Sequence, residues 1–167
     1  MPEKKTIEKA RQDKREGKAP STQAGEFVHE EIEHVKEGKH GARSTQQAIA
    51  IGLSKARRAG VKLPAPKKGT VSEETRKKAE SDSKKGAKGA KKTVSRTRSK
   101  ATTAALKKEG HAAASKKALS KQAKSAASKR TVAERSAAAR RAARTKGPDE
   151  RSAAAHKAAR TRAKKSS

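Results

Sequence analysis

The sequence has no cysteine, tryptophan, tyrosine or asparagine, and only one phenylalanine and one methionine among 167 residues. The lack of cysteine excludes disulfides and Cys-ligated zinc or iron sites, the usual supports of small domains with little core. Apolar residues make up 30% of the chain, and many of them are alanine. Because bulky apolar side chains are so few, we expect a core that serves only part of the chain.

Long apolar runs are missing as well. The longest stretch with bulky apolar side chains, residues 48–53, has six residues, whereas a bilayer-spanning helix needs about 20. Residues 1–20 are charged throughout and lack the apolar segment of a signal peptide. Interfacial Trp and Phe are also lacking, so a membrane surface is a poor partner. We therefore expect a soluble, intracellular protein.

Positive charge is what the sequence has in excess. Lys and Arg number 46 against 17 Asp and Glu, which gives a formal net charge of +29 at pH 7. Residues 1–66 hold 14 Lys and Arg against 9 acids, whereas residues 67–167 hold 32 against 8. The chain's natural partner is therefore a polyanion, attracted mainly by the second part of the sequence.

Helix-breaking residues predict a division of the chain. Residues 64–70 contain two prolines and a glycine, which stop helices and favour extended backbone. We interpret residues 64–70 as a linker, residues 1–20 as a charged N-terminal helix or arm, residues 21–63 as a helical-hairpin head, and residues 71–167 as a long basic tail.

The head is predicted to contain two helices. The first runs to about residue 37 and has apolar residues at the spacing of one helix face, namely Ala24, Val28, Ile32 and Val35. The second follows a capping box, in which Ser44 accepts from the Gln47 amide and the Gln47 side chain returns to the Ser44 amide. Gly60 is a natural left-handed stop, and Gly52 allows close approach of the first helix. Residues 6–16 supply a third helix if Ile7 docks, and dimerisation through the head is one way to complete so small a core.

Residues 71–85 could form one short helix, since Ser72 precedes two acids, but this helix has no apolar face to bury. From residue 83 to the end, the tail is predicted to be disordered in isolation because of its charge and lack of hydrophobic residues. It nevertheless contains a duplication, since residues 134–145 recur at 150–161 with two of twelve positions changed. Both copies are rich in Ala and Arg, and we expect them to become helical when phosphates relieve the repulsion between their cations. The predicted fold class is therefore mostly α with extensive disorder, with a small head and a long tail.

The candidate nucleic-acid contacts are cations of the head and the tail. In the head they are Lys55, Arg57 and Arg58. In the tail they are Lys91, Lys92, Arg96, Arg98, Lys116, Lys117, Lys129, Arg130, Arg135, Arg140, Arg141, Arg144, Arg151, Lys157, Arg160, Arg162, Lys164 and Lys165. Such cations neutralise phosphates and release counterions, which gives strong, salt-sensitive binding.

Recognition of base sequence is expected to be weak. Asparagine, one of the two amides suited to adenine recognition, is absent. The lone Phe27 offers no platform for stacking unpaired bases, which favours duplex DNA over RNA. We expect sequence-tolerant, histone-like binding and compaction of duplex DNA. An RNA-associated or ribosome-associated protein is the alternative.

A helix-turn-helix reader is a further alternative, in which the start of the recognition helix holds Arg43, Ser44, Thr45, Gln46 and Gln47. Its weakness is the connector that begins near Glu37, which is longer than the usual three or four residues.

Enzyme chemistry finds no support in the sequence. His29 and His34 are five residues apart, whereas the helical zinc motif needs histidines four apart on one face. No Gly-Lys-Ser/Thr phosphate-binding sequence occurs, and no pair of nucleophile and base can be proposed. We expect no catalytic site, no metal and no cofactor.

Two resemblances add to these expectations. Residues 21–64, which include the stretch GEFVHEEIEHVKEGKHGARSTQQAIAIG, resemble a family of small basic bacterial proteins of uncharacterised function. The tail is similar in composition to linker-histone tails and to bacterial proteins that share that composition. The first resemblance implies a bacterial cytoplasm, and the second implies association with the nucleoid.

Overall fold

The computed structural model of the chain describes residues 2–89 and 95–166. Its helices are α1 (Lys4–Arg15), α2 (Pro20–Lys36), α3 (Thr45–Arg58), α4 (Glu73–Ala87), α5 (Arg96–Lys107), α6 (Lys116–Ser128) and α7 (Val132–Ser166), with a short 3-10 helix at Ala112–Ala114. The helical part of the predicted fold class is confirmed. The contacts define two compact units, of which the first ends at Gln122 and the second begins at Ala123.

The two predicted helices of the head are present, and α2 packs against α3. Gly52 makes close contact possible, because a Cβ there would lie 2.7 Å from the Cα of Val28. Helix α3 stops as predicted at a left-handed glycine, Gly60, whose φ is 90°. The capping box is confirmed in part, since Ser44 Oγ accepts from the Gln47 amide at 3.1 Å. The Gln47 side chain, however, accepts from the Arg43 amide at 2.7 Å rather than from that of Ser44.

The core of the first unit consists of two small clusters. One forms around Phe27, which is 1% exposed, with the small apolar residues Ala10, Ala24, Ala56 and Val61. Ile7 packs against this cluster, so α1 is docked and the head has a third helix. The other cluster contains Ile32, Val35, Ala42, Ala48, Ala113 and Ala114.

The prediction of a long, disordered tail is wrong. Helix α4 packs against α3, and the 3-10 helix packs against both α2 and α3. Asp82 of α4 is 2% exposed, and Ala114 of the 3-10 helix is likewise 2% exposed. The first unit therefore includes residues on both sides of the 64–70 segment.

Small residues and one carboxylate make the contacts that dock α4 and the 3-10 helix. A count of bulky apolar side chains therefore does not predict this docking. A Cβ at Gly86 would lie 1.9 Å from the carbonyl oxygen of Arg57, so the backbones of α3 and α4 nearly touch there. A Cβ at Gly41 would lie 1.8 Å from the carbonyl oxygen of Glu109. The Gly41 amide donates to the carbonyl of Leu106 at 2.9 Å. Close packing of backbone thus takes the place of large side chains.

Helix α7 belongs to the second unit and holds both copies of the duplicated segment. Gly147 interrupts it with φ 63° and ψ 170°, and Pro148 follows, so the two copies form two helical arms. The predicted capping box at its start is confirmed, because Thr131 N donates to Glu134 Oε2 at 2.9 Å and Glu134 N donates to Thr131 Oγ1 at 3.2 Å. Both arms are helical without phosphates, which corrects the expectation that they fold only on binding. Alanine has the highest intrinsic helix propensity, and here it outweighs the repulsion between cations.

None of the helices in the described ranges combines the length and the apolar character required to cross a bilayer.

Candidate nucleic-acid interface

The three head cations predicted to contact phosphates are engaged within the protein. Lys55 Nζ lies 2.5 Å from Glu31 Oε2 and 3.6 Å from Glu30 Oε1, in an environment where both carboxylates are almost completely buried. Buried carboxylates need such a partner, because an unpaired charge inside a protein is costly. We therefore assign Lys55 to the interior of the first unit.

Arg57 is buried as well, with 6% of the residue exposed. Its Nη2 donates to the carbonyl oxygen of Pro64 at 3.1 Å, which ties α3 to the segment that follows it. Burial lowers the pKa of the Arg57 guanidinium, and the nearby Asp82 carboxylate opposes that shift. Arg57 is consequently a structural cation.

Arg58 is the most exposed of the three, with 55% of its side chain accessible. Its Nε donates to Asp82 Oδ1 at 2.9 Å, and Ser54 Oγ donates to Asp82 Oδ2 at 2.6 Å. Burial on its own would raise the pKa of the Asp82 carboxyl, but the hydrogen bonds from Arg58 and Ser54 outweigh it, and the pKa is lowered. Arg58 thus serves first to hold α4 on α3.

The acids of the chain are concentrated in the same region as these pairs. Of the 17 Asp and Glu, 13 lie in residues 1–82. Residues 95–166 contain 22 Lys and Arg but only four acids: Glu109, Glu134, Asp149 and Glu150. We call α5, α6 and α7 the basic helices, since they carry most of this excess.

Helices α5 and α6 present cations on exposed faces. On α6, Ala118, Leu119, Gln122 and Ser125 are partly covered, and Leu119 packs against the core. Lys117, Lys121 and Lys124 lie on a different face and are exposed. Among the predicted contacts, Arg96 and Arg98 of α5, Lys116 and Lys117 of α6, and Lys129 and Arg130 after α6 are all exposed.

Helix α7 carries 11 Lys and Arg against three acids. The duplication gives its arms a related pattern: Arg140, Arg141 and Arg144 share one arc of the first arm, and His156, Lys157 and Arg160 share the equivalent arc of the second. Lys157, Arg160, His156 and Ala153 line one open depression. Arg151 donates to the carbonyl of Gly147 at 3.0 Å, across the break between the arms.

The remaining predicted contacts divide into two groups. Arg135, Arg140, Arg141, Arg144, Arg151, Lys157, Arg160, Arg162 and Lys164 are exposed on α7. Lys91, Lys92 and the side chain of Lys165 lie outside the described residues.

Two side chains at the start of α3 are engaged within the protein, which counts against a recognition helix there, although Arg43, Ser44 and Gln46 are exposed. Thr45 is 7% exposed, and its hydroxyl donates to the carbonyl of Ala113 at 2.6 Å. The Gln47 side chain is used in capping. The connector between α2 and α3 has eight residues, 37–44, well above the three or four of a helix-turn-helix.

A second polar cluster lies beside Lys55, where Glu31, His34 and His40 approach one another. One ligand atom from each lies within 4.8 Å of the other two. Sequence reasoning compared His34 with His29 and missed Glu31, which lies three residues before His34 on the same helix face. The proximity of His40 depends on the connector and has no local signal in the sequence.

Glu3, at the start of α1, borders this cluster. Its Oε1 lies 2.9 Å from His34 Nε2 and 3.3 Å from Lys39 Nζ. Hydrogen bonds from His34 and Lys39 lower the pKa of the Glu3 carboxyl. The Glu3 amide also donates to Glu30 Oε2 at 3.2 Å, so the cluster fastens α1 to α2.

Residues 3–69 match the model of a family described as a family of unknown function, DUF6496. The match spans α1, α2, α3 and the segment that follows α3, and it agrees with the resemblance seen in residues 21–64. Comparison with curated proteins and with solved structures found no match.

Proposed function

We propose that the chain binds duplex DNA with little regard to sequence, by neutralising phosphates with its basic helices, and that it acts as a histone-like compacting protein. The observation that carries the proposal is the separation of charge: acids and their ion pairs concentrate in the first 82 residues, whereas residues 95–166 hold 22 cations and four acids. Cations that lack nearby acids are available to replace the counterions of DNA.

The helical form of α7 supports the proposal energetically. A helix that is already formed loses less conformational entropy on binding than a disordered segment would. Each arm rises about 1.5 Å per residue, so its exposed cations are spread along the helix axis beside a duplex that carries one phosphate per ~1.7 Å of its own axis. The alanines between the cations let the helix approach the backbone closely without adding base-reading groups.

Compaction follows from the division into two units. Exposed cations occur on α5 and α6 as well as on α7, so one chain has more than one surface that attracts DNA. We propose that it bridges duplex segments and, given the bacterial family that its head resembles, that it does so in a bacterial nucleoid.

The experiment is a competition at physiological salt among random-sequence duplex DNA, structured RNA and anionic vesicles, each labelled and mixed with the full chain. We expect duplex DNA to bind most tightly and two unrelated duplexes to bind equally. If about ten cations engage phosphates, log K falls against log salt with a slope of about −9. RNA binding that is tenfold tighter or more would favour the RNA-associated alternative. A large preference for one duplex sequence would contradict sequence tolerance.

A further inference from the structure

The cluster of Glu31, His34 and His40 brings together three side chains from two parts of the first unit. Glu31 and His34 lie on one face of α2, because residues three apart on a helix are neighbours. His40 comes from the connector, just after Gly38, whose φ of 74° turns the chain out of α2. The pattern of two nitrogen ligands and one carboxylate, gathered from a helix and a loop, is common in metal sites of proteins.

The hydrogen bond of His40 fixes which ring nitrogen carries a proton. Its Nδ1 lies 3.0 Å from the carbonyl oxygen of Gly41, and a carbonyl oxygen only accepts, so Nδ1 is the donor. In a neutral imidazole the other nitrogen, Nε2, then has a lone pair and no proton. That Nε2 lies 3.2 Å from Glu31 Oε1, a second acceptor. A metal ion placed between these two atoms would be bound by both of them.

The charges around Glu31 also favour an added cation. Glu31 is 1% exposed, and its Oε2 forms an ion pair with the ammonium group of Lys55 at 2.5 Å. Its other oxygen, Oε1, faces His40. Glu30 and Glu3 add two more carboxylates close by, whereas Lys39 is the second ammonium group of the cluster. The three carboxylates thus outnumber the two ammonium groups, and a metal ion would offset the difference.

We infer that Glu31, His34 and His40 bind a late first-row divalent metal ion, with zinc the best fit. Tetrahedral zinc with bonds of about 2.0–2.1 Å holds its ligand atoms roughly 3.4 Å apart, close to the 3.2 Å between His40 Nε2 and Glu31 Oε1. The hydrogen bond from His40 Nδ1 to Gly41 orients the ring as outer-shell carbonyls do in zinc sites. His34 Nε2 donates to Glu3 Oε1 at 2.9 Å, as metal-bound histidines do to outer-shell carboxylates, and Nδ1 is then the nitrogen of His34 with a lone pair for the ion.

The ion would act on the architecture of the first unit. The connector that carries His40 also docks the segment before the 3-10 helix, since Gly41 N donates to Leu106 O at 2.9 Å and Ala42 N donates to Gly110 O at 3.1 Å. A metal ion bound to α2 and to this connector would hold that docking in place. The site therefore regulates the stability of the first unit and is independent of the proposed binding of DNA.

The test uses the full chain, freed of metal with a chelator and titrated with Zn²⁺ by calorimetry. We expect one saturable site per chain and a higher melting temperature with Zn²⁺ than without it. The variant H34Q/H40Q is compared with H29Q/H156Q, which removes two histidines outside the cluster. The first should weaken Zn²⁺ binding at least roughly tenfold, and the second should leave it unchanged. Circular dichroism of both variants checks that they remain helical.

Two further measurements keep the inference falsifiable. Co²⁺ in place of Zn²⁺ should give visible absorption bands that disappear in H40Q. The ¹⁵N spectrum of the histidine rings should show His40 Nδ1 protonated and Nε2 shifting when Zn²⁺ is added. Equal Zn²⁺ affinity in the two double variants would overturn the inference. So would a His40 ring with protons on both nitrogens that Zn²⁺ leaves unchanged, because a proton would then occupy the gap to Glu31.

Discussion

Asp82 of α4 accepts a 2.9 Å hydrogen bond from Nε of Arg58 on α3, with only 3% of the Asp82 side chain exposed. Ser54 donates to its second oxygen at 2.6 Å. Asp82 belongs to a short helix that the sequence predicts to have no apolar face to bury, yet both of its oxygens accept hydrogen bonds from the head. This carboxylate therefore helps to extend the first unit beyond the 64–70 segment.

We expect D82N to destabilise the first unit. The substitution keeps the shape of the side chain but removes the charge that Arg58 and Ser54 complement, and hydrogen bonds to a charged group contribute about 1.5–3 kcal/mol. The free energy of unfolding, measured by urea denaturation, should fall by about 2 kcal/mol. E74Q is the control, since Glu74 is an exposed acid on the same helix. A D82N variant as stable as E74Q would mean that the charge of Asp82 contributes nothing to the docking of α4.

The same carboxylate predicts a dependence on pH. Because the pKa of Asp82 is lowered in the folded state, its contribution to stability is complete above its unfolded pKa of about 3.9. The contribution is lost as the pH falls through the lower folded pKa. The difference in unfolding free energy between the unchanged protein and D82N should therefore be constant near neutrality and shrink in acid. A difference that grows as the pH falls from neutrality would contradict this sign.

G86A tests the backbone contact between α3 and α4. An alanine Cβ would lie 1.9 Å from the carbonyl oxygen of Arg57, so α4 has to move away from α3. In G25A, by contrast, the new Cβ meets nothing within 4 Å on α2, and the gain in helix propensity should stabilise the protein by about 0.5–1 kcal/mol. We expect thermal unfolding to shift down in G86A and up in G25A. Equal upward shifts in both variants would show that the two helices are not in contact.

Sequence reasoning predicted the parts of the fold that depend on local pattern. The spacing of Ala24, Val28, Ile32 and Val35 predicts α2, and the capping residues Ser44 and Thr131 predict the starts of α3 and α7. Docking of α4 was missed because its anchors, Asp82 and Gly86, have no apolar periodicity. Their role depends on partners more than 20 residues away along the chain.

The candidate contacts show the same limit. Lys55 looks like a surface cation in the sequence, and only the tertiary structure places it beside Glu30 and Glu31. His40 joins Glu31 and His34 through the shape of the connector. Two opposing effects act in α7: the helix propensity of alanine favours a helix, and the repulsion between cations opposes it. From the sequence we expect the repulsion to dominate in the absence of phosphates, whereas in the structure the propensity of alanine dominates.

Two charge-matched triple variants test which cations bind DNA. R140Q/R144Q/R160Q removes three exposed arginines from α7, and R11Q/R15Q/R43Q removes three exposed arginines from residues 1–82, which hold 13 of the 17 acids. Each variant replaces three arginines by glutamines and so loses the same charge. Any difference in DNA affinity between the two variants is therefore due to the position of the arginines. If the α7 arginines contact phosphates, their loss should reduce the salt slope by about 2.7 and weaken binding roughly tenfold or more. The first-unit variant should change both quantities much less, because its arginines belong to the part of the chain that holds 13 of the 17 acids, and these carboxylates repel DNA. Equal losses in fluorescence-anisotropy titrations against one duplex would mean that total charge, and not the basic helices, determines the affinity.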